Sequence, residues 1–282
     1  MTKRALVLGG GGITGIAWEI GILTGLAEAG VDLTGADVIV GTSAGSVVGS
    51  LVAGGTPLAQ LYAGQVRELT GDEISARFRP LDMLRFFYAA LWPGSDEAAR
   101  RRMGRMALRV GRGSEALRRG VMQSRLGDRT WPERDLLITA VDADTGEPRV
   151  FDRRSGVPLL DAVQASCAVP LVWPPVEIEG HRYMDGGMRS ITNADLAAGC
   201  DRVVVIAPVT VAFRRSGRIA RQLASLGPQV RSVVISPDDA ARAAIGRNVL
   251  SPVTRAASAR AGHAQGKREA RRVAGPWSAV VS

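Results

Sequence analysis

A serine lies between two glycines in a segment suited to nucleophilic chemistry. Gly41-Thr42-Ser43-Ala44-Gly45 fits the pattern G-x-S-x-G and lies between an apolar run typical of a buried strand and a stretch with helical periodicity. In that context a strained turn presents the serine, and the flanking glycines let neighbouring backbone approach closely. We predict that Ser43 is a nucleophile; a tight strand-helix turn with an idle serine is the alternative.

A serine nucleophile needs a base, and the chain contains only two histidines. His181 lies in a predicted hairpin and His263 in a basic C-terminal stretch, and neither has a clear triad context. Asp185, in Met184-Asp185-Gly186-Gly187, is the remaining candidate, because a carboxylate held near the serine and partly desolvated can accept its proton. A Ser-His-Asp hydrolase is the alternative enzyme, and Asp-Gly-Gly by itself is also an ordinary turn signal.

A run of glycines near the N-terminus forms a third chemical element. Gly9-Gly10-Gly11-Gly12-Ile13-Thr14-Gly15 would present successive backbone N–H groups in a loop that leads into a helix, an arrangement that holds anions. Gly10, Gly12 and Gly15 also satisfy G-x-G-x-x-G, so a dinucleotide-binding module is an alternative. That alternative expects an acidic residue at the end of the second strand, where this chain instead has the Ser43 segment.

The segments around these residues follow a strand, turn and helix order. An apolar run from Arg4 to Leu8 predicts a buried strand, and helical spacing follows the glycine run as far as Gly30. Asp37 to Val40 repeats the strand pattern before the Ser43 turn and its helix. Two successive units of this kind favour a parallel sheet in an α/β fold.

Later segments supply the aspartate and complete the sheet. Turn signals at Asp144–Glu147 and Glu179–Gly180 predict two hairpins, and the second brings Asp185 to a turn. Asn193 is a candidate N-cap for a short helix. Further strands are predicted at residues 202–207 and 230–235.

We expect one domain over residues 1–275 and a short tail over residues 276–282. Residues 62–133 are predicted to form an arginine-rich helical insertion or lid, with apolar side chains clustered from Met83 to Trp92. That cluster fits either a buried core or a lid that meets an anionic membrane. The alanine- and arginine-rich sequence beyond Pro252 fits a surface helix or a frayed tail.

The composition bounds the class of protein. Of the 282 residues, 46% are hydrophobic, and the net charge is +9, with the basic residues concentrated in residues 85–125 and 214–272. Charge alone does not decide whether these basic surfaces bind nucleic acid, bind anionic lipid or only keep the protein soluble. Cys167 and Cys200 form no disulfide framework and lack metal-ligand spacing. No run approaches the roughly 18 apolar residues of a membrane span, and glycines interrupt the N-terminal apolar run. We therefore expect a cytoplasmic or peripheral protein without a metal or cofactor, and the pattern favours no particular oligomeric state.

Together these motifs resemble those of the patatin-like phospholipase family. The family pattern combines a glycine-rich oxyanion loop, G-x-S-x-G and a later D-G-G or D-G-A, and all three occur in that order between Gly9 and Gly187. Ala165-Ser166-Cys167-Ala168-Val169-Pro170 is also similar to the family's A-S-x-A-x-P stretch. Four ordered elements make the resemblance specific.

The resemblance implies a three-layer α/β/α fold with a mainly parallel central sheet, and a Ser-Asp dyad without histidine that cleaves ester bonds of lipids. By motif position, Ser43 is the nucleophile and Asp185 the base. Gly10, Gly11 and Gly12 then supply the oxyanion donors. The expected partners are a lipid or other ester substrate and an anionic membrane surface, and a nucleic acid is not expected.

The chain departs from the family pattern at two positions. Thr14 stands where members often have arginine or lysine, and no proline soon follows Asn193. The first departure puts the supporting contacts of the glycine loop in doubt. A catalytically inactive patatin-like binding protein is therefore a further alternative.

Overall fold

The computed structural model describes residues 2–68, 80–110 and 115–277. In this part of the chain the strands form one eight-stranded sheet. The strands are β1 (Arg4–Leu8), β2 (Val38–Thr42), β3 (Asp135–Asp142), β4 (Pro148–Phe151), β5 (Val176–Ile178), β6 (His181–Asp185), β7 (Arg202–Ile206) and β8 (Arg231–Ile235). Their order is β5-β6-β3-β2-β1-β7-β8, with β4 paired to β3. β1, β2, β3, β7 and β8 run parallel, whereas β4, β5 and β6 pair antiparallel.

Helices cover both faces of the sheet. The α-helices described are α1 (Gly12–Glu28), α2 (Ala44–Ala53), α3 (Leu58–Val66), α4 (Pro80–Leu91), α5 (Asp96–Ala107), α6 (Glu115–Leu126), α7 (Leu159–Ser166), α8 (Ile219–Ser225), α9 (Asp239–Ile245) and α10 (Arg255–Trp277). None in the described ranges is long and apolar enough to cross a membrane.

Alternation along β1 shows how the layers are built. Leu6 and Leu8 pack into a large core with α1, α2 and α10. Ala5 and Val7 point the other way, into a smaller core with α8 and the 3-10 turn Ala194–Ala197. Because successive strand residues face opposite sides, one short apolar strand serves both cores. The predicted three-layer α/β/α fold with a mainly parallel sheet is confirmed.

Strand β3 brings together the ends of two other strands. β4 pairs with residues 138–141 along one edge of β3, so β2 and β6 must share the opposite edge. On that edge Thr42, the last residue of β2, lies opposite Thr139, and Asp185, the last residue of β6, lies opposite Ala140. β2 and β6 run in opposite directions along β3, so their C-terminal ends meet.

Both predicted hairpins are confirmed. Asp142 to Glu147 connects β3 to β4, with Gly146 at φ +76°. The turn between β5 and β6 has Glu179 at φ +52° and Gly180 at φ +80°. Two consecutive positive φ values are those of a type I′ turn, the tight turn whose twist matches that of the paired strands.

The predicted insertion over residues 62–133 is helical where it is described. Phe86 of α4 and Met103 of α5 are buried against Val141 and Met184 at the end of the sheet. Residues 69–79 and 111–114 and the side chain of Met83 lie outside the described part. On the remaining surface of α4 and at the residue that follows it, large apolar side chains are exposed to solvent: Leu84, Phe87, Tyr88, Leu91 and Trp92.

Beyond Pro252 the chain forms the helix α10 rather than a frayed tail, and this helix has one exposed face and one face buried against α1. An ideal Cβ on Gly262 would lie 2.4 Å from the carbonyl oxygen of Trp18 in α1, and one on Gly21 would lie 2.2 Å from that of Ala259. The two helices therefore pack backbone to backbone through glycines on both. The helix runs to Trp277, which is buried, whereas residues 278–282 of the predicted tail lie outside the described part.

Candidate active site

Ser43 occupies the strained turn that the sequence predicted. It stands between β2 and α2 with φ +53° and ψ −116°, a conformation that costs a residue with a side chain about 1–3 kcal/mol. Its N–H donates to Ser166 Oγ at 2.9 Å, and its carbonyl accepts from Ser46 Oγ at 2.6 Å and Cys167 Sγ at 3.3 Å. These buried hydrogen bonds stabilise the turn.

The flanking glycines are required by close backbone contacts. A Cβ on Gly41 would lie 2.6 Å from Ser46 Cα, and one on Gly45 would lie 2.1 Å from the carbonyl oxygen of Leu8. Gly45 N–H also donates to the carbonyl of Gly9 at 3.0 Å. The serine turn is thus packed directly against the end of β1 and the start of the glycine loop.

Asp185 lies at the same end of the sheet and is buried. Its Oδ1 accepts from Gly187 N–H at 2.7 Å, and its own N–H donates to the carbonyl of Ala168 at 2.9 Å. Ser166 and Cys167, the residues before Ala168, are bonded to the backbone of Ser43. The segment Ser166 to Ala168 therefore links the two residues: its first two members bond to Ser43 and its third bonds to Asp185.

The side chain of Asn193 connects the end of β2, which precedes Ser43, with the turn that follows Asp185. The sequence did not indicate this role. Asn193 was predicted to cap a helix, yet it adopts φ +51° and its side chain makes no cap hydrogen bond. The side chain points inward, and its Oδ1 accepts from Arg189 Nη1 at 2.7 Å. Its Nδ2 lies within 3.4 Å of four oxygens, those of Thr42 Oγ1, Thr139 Oγ1, the Gly186 carbonyl and the Ser190 carbonyl. In the sequence, only the asparagine that family members have at this position pointed to a role for Asn193 in the site.

The glycine loop lies beside Ser43, and its N–H groups differ in their partners. Gly10 N–H donates to the carbonyl of Ile191 at 2.8 Å, while a Cβ on Gly10 would lie 3.5 Å from Ser43 Cβ. For the N–H groups of Gly11 and Gly12, the described residues offer no hydrogen-bond acceptor. Gly12 lines the pocket into which Ser43 opens.

Neighbouring segments cover the start of α1. Thr14 N–H donates to the carbonyl of Val249 at 3.1 Å, and a Cβ on Gly11 would lie 2.5 Å from Pro208 Cβ. A dinucleotide pyrophosphate would need open amides at this helix N-terminus. The amide of Thr14 is not open, and β2 leads into Ser43 where this alternative expects an acidic residue, so the geometry does not favour the dinucleotide alternative.

The two histidines have other partners. His181 Nδ1 lies 3.0 Å from Asp142 Oδ2, and His181 is four positions before Asp185 in β6, a distance of roughly 13 Å along the strand. His263 Nε2 lies 3.0 Å from Glu28 Oε2, at the C-terminal end of α1. The glycine loop and Ser43 lie at the other end of that helix, so the geometry does not support a Ser-His-Asp triad.

Ser43 opens into a small apolar pocket beside a larger cavity. The first has a volume of about 80 Å³ and is lined mainly by apolar side chains, among them Ile16, Met122 and Trp173. The second has a volume of about 570 Å³. Among the described residues, no group of three or more His, Cys, Asp or Glu side chains could hold a metal ion.

Glu19 is an acidic residue buried in α1. It is fully buried, and neither carboxyl oxygen has a hydrogen-bond partner among the described residues. Burial raises the pKa of Glu19 well above its usual value of 4.5, an effect that the nearby backbone of Gly9 opposes. The Glu19 carboxyl is therefore neutral over a wider pH range than an exposed one.

Comparison with known proteins supports the family resemblance. Two curated relatives are both described as lysophospholipase nte1: one from Aspergillus oryzae is 29% identical over 182 residues, covering 64% of this chain and 10% of the relative, and one from Aspergillus niger is 44% identical over 66 residues, covering 23% and 4%. This chain thus spans a tenth or less of the length of these relatives.

Two solved structures are similar to nearly the whole chain. VipD from Legionella pneumophila has 14% identity and a TM-score of 0.47, with 96% of this chain and 67% of VipD covered. The type III effector protein ExoU has 15% identity and a TM-score of 0.43, with 96% of this chain and 53% of ExoU covered.

The patatin-like phospholipase family model matches residues 6–198, a range that contains the glycine loop, Ser43 and Asp185. The chain belongs to the patatin-like phospholipase family.

Proposed function

We propose that this protein is a serine lipid acyl hydrolase in which Ser43 attacks the ester carbonyl and Asp185 acts as its base. The observation that carries the proposal is the shared anchoring of the two residues. Ser43 is held in a strained turn by Ser166 and Cys167, and Asp185 is bonded to the adjacent Ala168. Strained backbone held by buried contacts is typical of active sites.

In the first half of the reaction, Asp185 takes the proton of Ser43 Oγ as the oxygen attacks the acyl carbonyl. The N–H groups of Gly11 and Gly12 donate to the developing oxyanion, while Gly10 fixes the loop through its bond to Ile191. The tetrahedral intermediate then collapses, and Asp185 returns the proton to the leaving alcohol. Water then attacks the acyl group as Asp185 takes its proton, and Asp185 returns that proton to Ser43 Oγ as the carboxylic acid leaves.

A lipid is the substrate class that fits the surroundings best. The pocket at Ser43 is lined mainly by apolar side chains, and both curated relatives carry the name lysophospholipase. Moving an acyl chain from water into a pocket lined by apolar side chains is favourable, because apolar surface of both is removed from water. A family member that only binds lipid without cleaving it is the alternative function.

We also propose that the protein takes its substrate from an anionic membrane as a peripheral protein. The apolar side chains of α4 are exposed, at 67% for Leu84 and 57% for Leu91. Four arginines line the adjoining surface groove: Arg85, Arg102, Arg105 and Arg109. Apolar side chains flanked by cations are suited to anionic lipid headgroups.

Vesicle flotation tests this membrane contact. We expect binding to phosphatidylglycerol vesicles at low salt, weaker binding to phosphatidylcholine vesicles, and reduced binding in a Leu84→Asn, Leu91→Asn double variant. Equal flotation with both vesicle types, or an unaffected double variant, would contradict the assignment of this surface.

Ester hydrolysis tests the dyad. Short and long p-nitrophenyl esters are given to the wild type, Ser43→Ala and Asp185→Asn, with folding monitored by circular dichroism. Both folded variants are expected to lose about 10³-fold or more in kcat, because each removes a group from the reacting set. Ser225→Ala and Asp239→Asn are matched controls at exposed positions on α8 and α9.

Two results would count against the mechanism. Full turnover in a folded Asp185→Asn protein would remove the aspartate from the reaction. A wild type that binds lipid but cleaves no ester would favour the inactive binding protein.

A further inference from the structure

A loop late in the chain packs directly on the glycine loop beside Ser43. Residues 246–251, called here the Leu250 loop, connect α9 to the 3-10 turn that precedes α10. An ideal Cβ on Gly12 would lie 2.6 Å from the carbonyl oxygen of Val249 and 3.0 Å from Leu250 Cδ2. The Leu250 loop therefore contacts the glycine whose N–H is one of the proposed oxyanion donors.

Thr14 holds the Leu250 loop in this position. Its N–H and its hydroxyl both donate to the carbonyl of Val249, at 3.1 Å and 3.3 Å, and a carbonyl oxygen has two lone pairs with which to accept them. Thr14 is fully buried. Within the loop, Asn248 Oδ1 accepts from the N–H of Leu250 at 3.1 Å, which orients the backbone that carries the leucine. The start of α1 and the Leu250 loop are thus joined side by side.

The side chain of Leu250 forms part of the wall of the Ser43 pocket. It is 9% exposed, and it lines the pocket together with Gly12 and Ser43. The pocket has a volume of about 80 Å³, so it leaves little room for bulk around a reacting carbonyl. An oxyanion lies about 2.7–3.1 Å from its N–H donors, and Leu250 packs on the donor Gly12. A group attached to the carbonyl carbon therefore has to fit beside this leucine.

We propose that Leu250 is a specificity-determining residue that excludes acyl groups branched next to the ester carbonyl, and that Thr14 is its positioning residue. The inference rests on the proposed function. A linear acyl chain can pass on into the adjoining cavity of about 570 Å³, which shares Ile16 and Val121 with the Ser43 pocket. A branched group instead places its extra carbons where Leu250 packs, and extra carbons in a filled site force neighbouring atoms to move.

Selectivity between two isomeric esters tests Leu250. The p-nitrophenyl esters of pentanoic and pivalic acid share a leaving group and a carbon count, but only pivalate is branched next to the carbonyl. The ratio of their kcat/KM values, pivalate over pentanoate, is compared between proteins, so that the intrinsic reactivities of the esters cancel. Leu250→Ala should raise this ratio about tenfold, the scale on which a pocket distinguishes substrates by a methylene. Leu250→Val, a smaller truncation, should raise it less.

Val253→Ala is the matched control. Val253 follows the Leu250 loop directly in the 3-10 turn, is 76% exposed and lines neither cavity. Its ratio should equal that of the wild type. An unchanged ratio in Leu250→Ala, or an equal rise in Val253→Ala, overturns the proposal.

Thr14→Val and Thr14→Ser test the positioning role. Valine has nearly the shape of threonine without the hydroxyl, whereas serine keeps the hydroxyl. Thr14→Val should raise the pivalate ratio about threefold, within the effect of one neutral hydrogen bond, because the wall at Leu250 is held less firmly. Thr14→Ser should match the wild type. General destabilisation would lower kcat/KM for both esters in proportion, so an unchanged ratio in Thr14→Val contradicts the positioning role.

Binding without hydrolysis separates this proposal from the proposed function. The p-nitroanilides of the two acids carry the same acyl groups, and Ser43→Ala lacks the proposed nucleophile. Calorimetric titration should show that adding Leu250→Ala to Ser43→Ala lowers the ratio of dissociation constants, pivaloyl over pentanoyl, about tenfold. That result supports the role of Leu250 even if the wild type cleaves no ester. An equal ratio in both proteins, or no binding of either anilide, overturns it.

Discussion

The floor of the candidate site and the arginine-rich helices α4 to α6 are built in opposite ways. At the floor, Gly41, Gly45 and Gly186 face neighbouring atoms at distances that leave no room for a side chain. On α4, by contrast, Leu84 and Tyr88 are mostly exposed. Backbone contacts thus place Ser43 and Asp185, whereas independent side chains form the proposed lipid-facing surface. Substitutions should act abruptly in the first region and gradually in the second.

Gly45→Ala should give the largest effect. Its Cβ would lie 2.1 Å from the carbonyl oxygen of Leu8, and a backbone atom cannot move aside as a flexible side chain can. We expect a loss of about 3 kcal/mol or more in the free energy of unfolding, measured by urea denaturation.

Gly120→Ala in α6 is the matched control for this glycine. Apart from the backbone of α6 itself, no atom of the described residues lies within 4 Å of the added Cβ, and alanine is favoured over glycine inside a helix by about 0.5–1 kcal/mol. Equal effects of the two substitutions would break the contrast between the regions.

Asn193→Ala should give the next largest effect. It leaves the buried hydroxyl of Thr42 and the carbonyl of Ser190 without the amide that bonds them, and an unsatisfied buried polar group costs about 1–3 kcal/mol. We expect about 2 kcal/mol of destabilisation with a lower kcat, because Thr42 directly precedes the proposed nucleophile Ser43. Asn248→Ala, at a half-buried loop position, should change both quantities less.

Glu19→Gln should change how stability depends on pH. Because burial raises the Glu19 pKa, the folded protein binds more protons than the unfolded chain once the pH passes 4.5. Stability from this group is therefore greatest below pH 4.5 and falls as the pH rises towards the folded pKa. Glutamine removes the ionisation, so the variant should gain stability over the wild type with rising pH in thermal melts. If the difference in stability between the variant and the wild type stays constant from pH 4 to pH 9, Glu19 does not titrate in this way.

Arg105→Gln should give the smallest effect. Arg105 is exposed on α5 and lines the surface groove beside α4. Stability should change by no more than about 0.5 kcal/mol. The affinity for phosphatidylglycerol vesicles should fall about fivefold, the equivalent of about 1 kcal/mol per basic residue at an anionic surface. Large destabilisation would show that this region is as tightly fitted as the site floor.

Sequence patterns were sufficient where a local rule determines the structure. The strand-turn-helix units, the two hairpins and the strained turn at Ser43 follow from apolar periodicity and glycine positions within a few residues. The meeting of the C-terminal ends of β2 and β6 on β3 depends on a register between distant segments, which such patterns do not encode.

Three other features depend on long-range packing. Asn193 turns inward because the oxygens of Thr42 and Thr139 lie there, not because of its neighbours in sequence. Gly10 N–H is bonded by Ile191, which the glycine pattern alone does not reveal. The buried face of α10 exists only because glycines of α1 are placed to receive it.

The packing of α1 against α10 sets an order in time during synthesis. The glycine loop, Ser43 and Asp185 are all translated before residue 186, but α10 ends only at Trp277. Until that helix emerges from the ribosome, the glycine face of α1 lacks the partner that buries it, and domains fold as units. A nascent chain therefore contains every residue of the proposed dyad and loop before the fold around them can close, and we expect the proposed hydrolysis only after α10 docks.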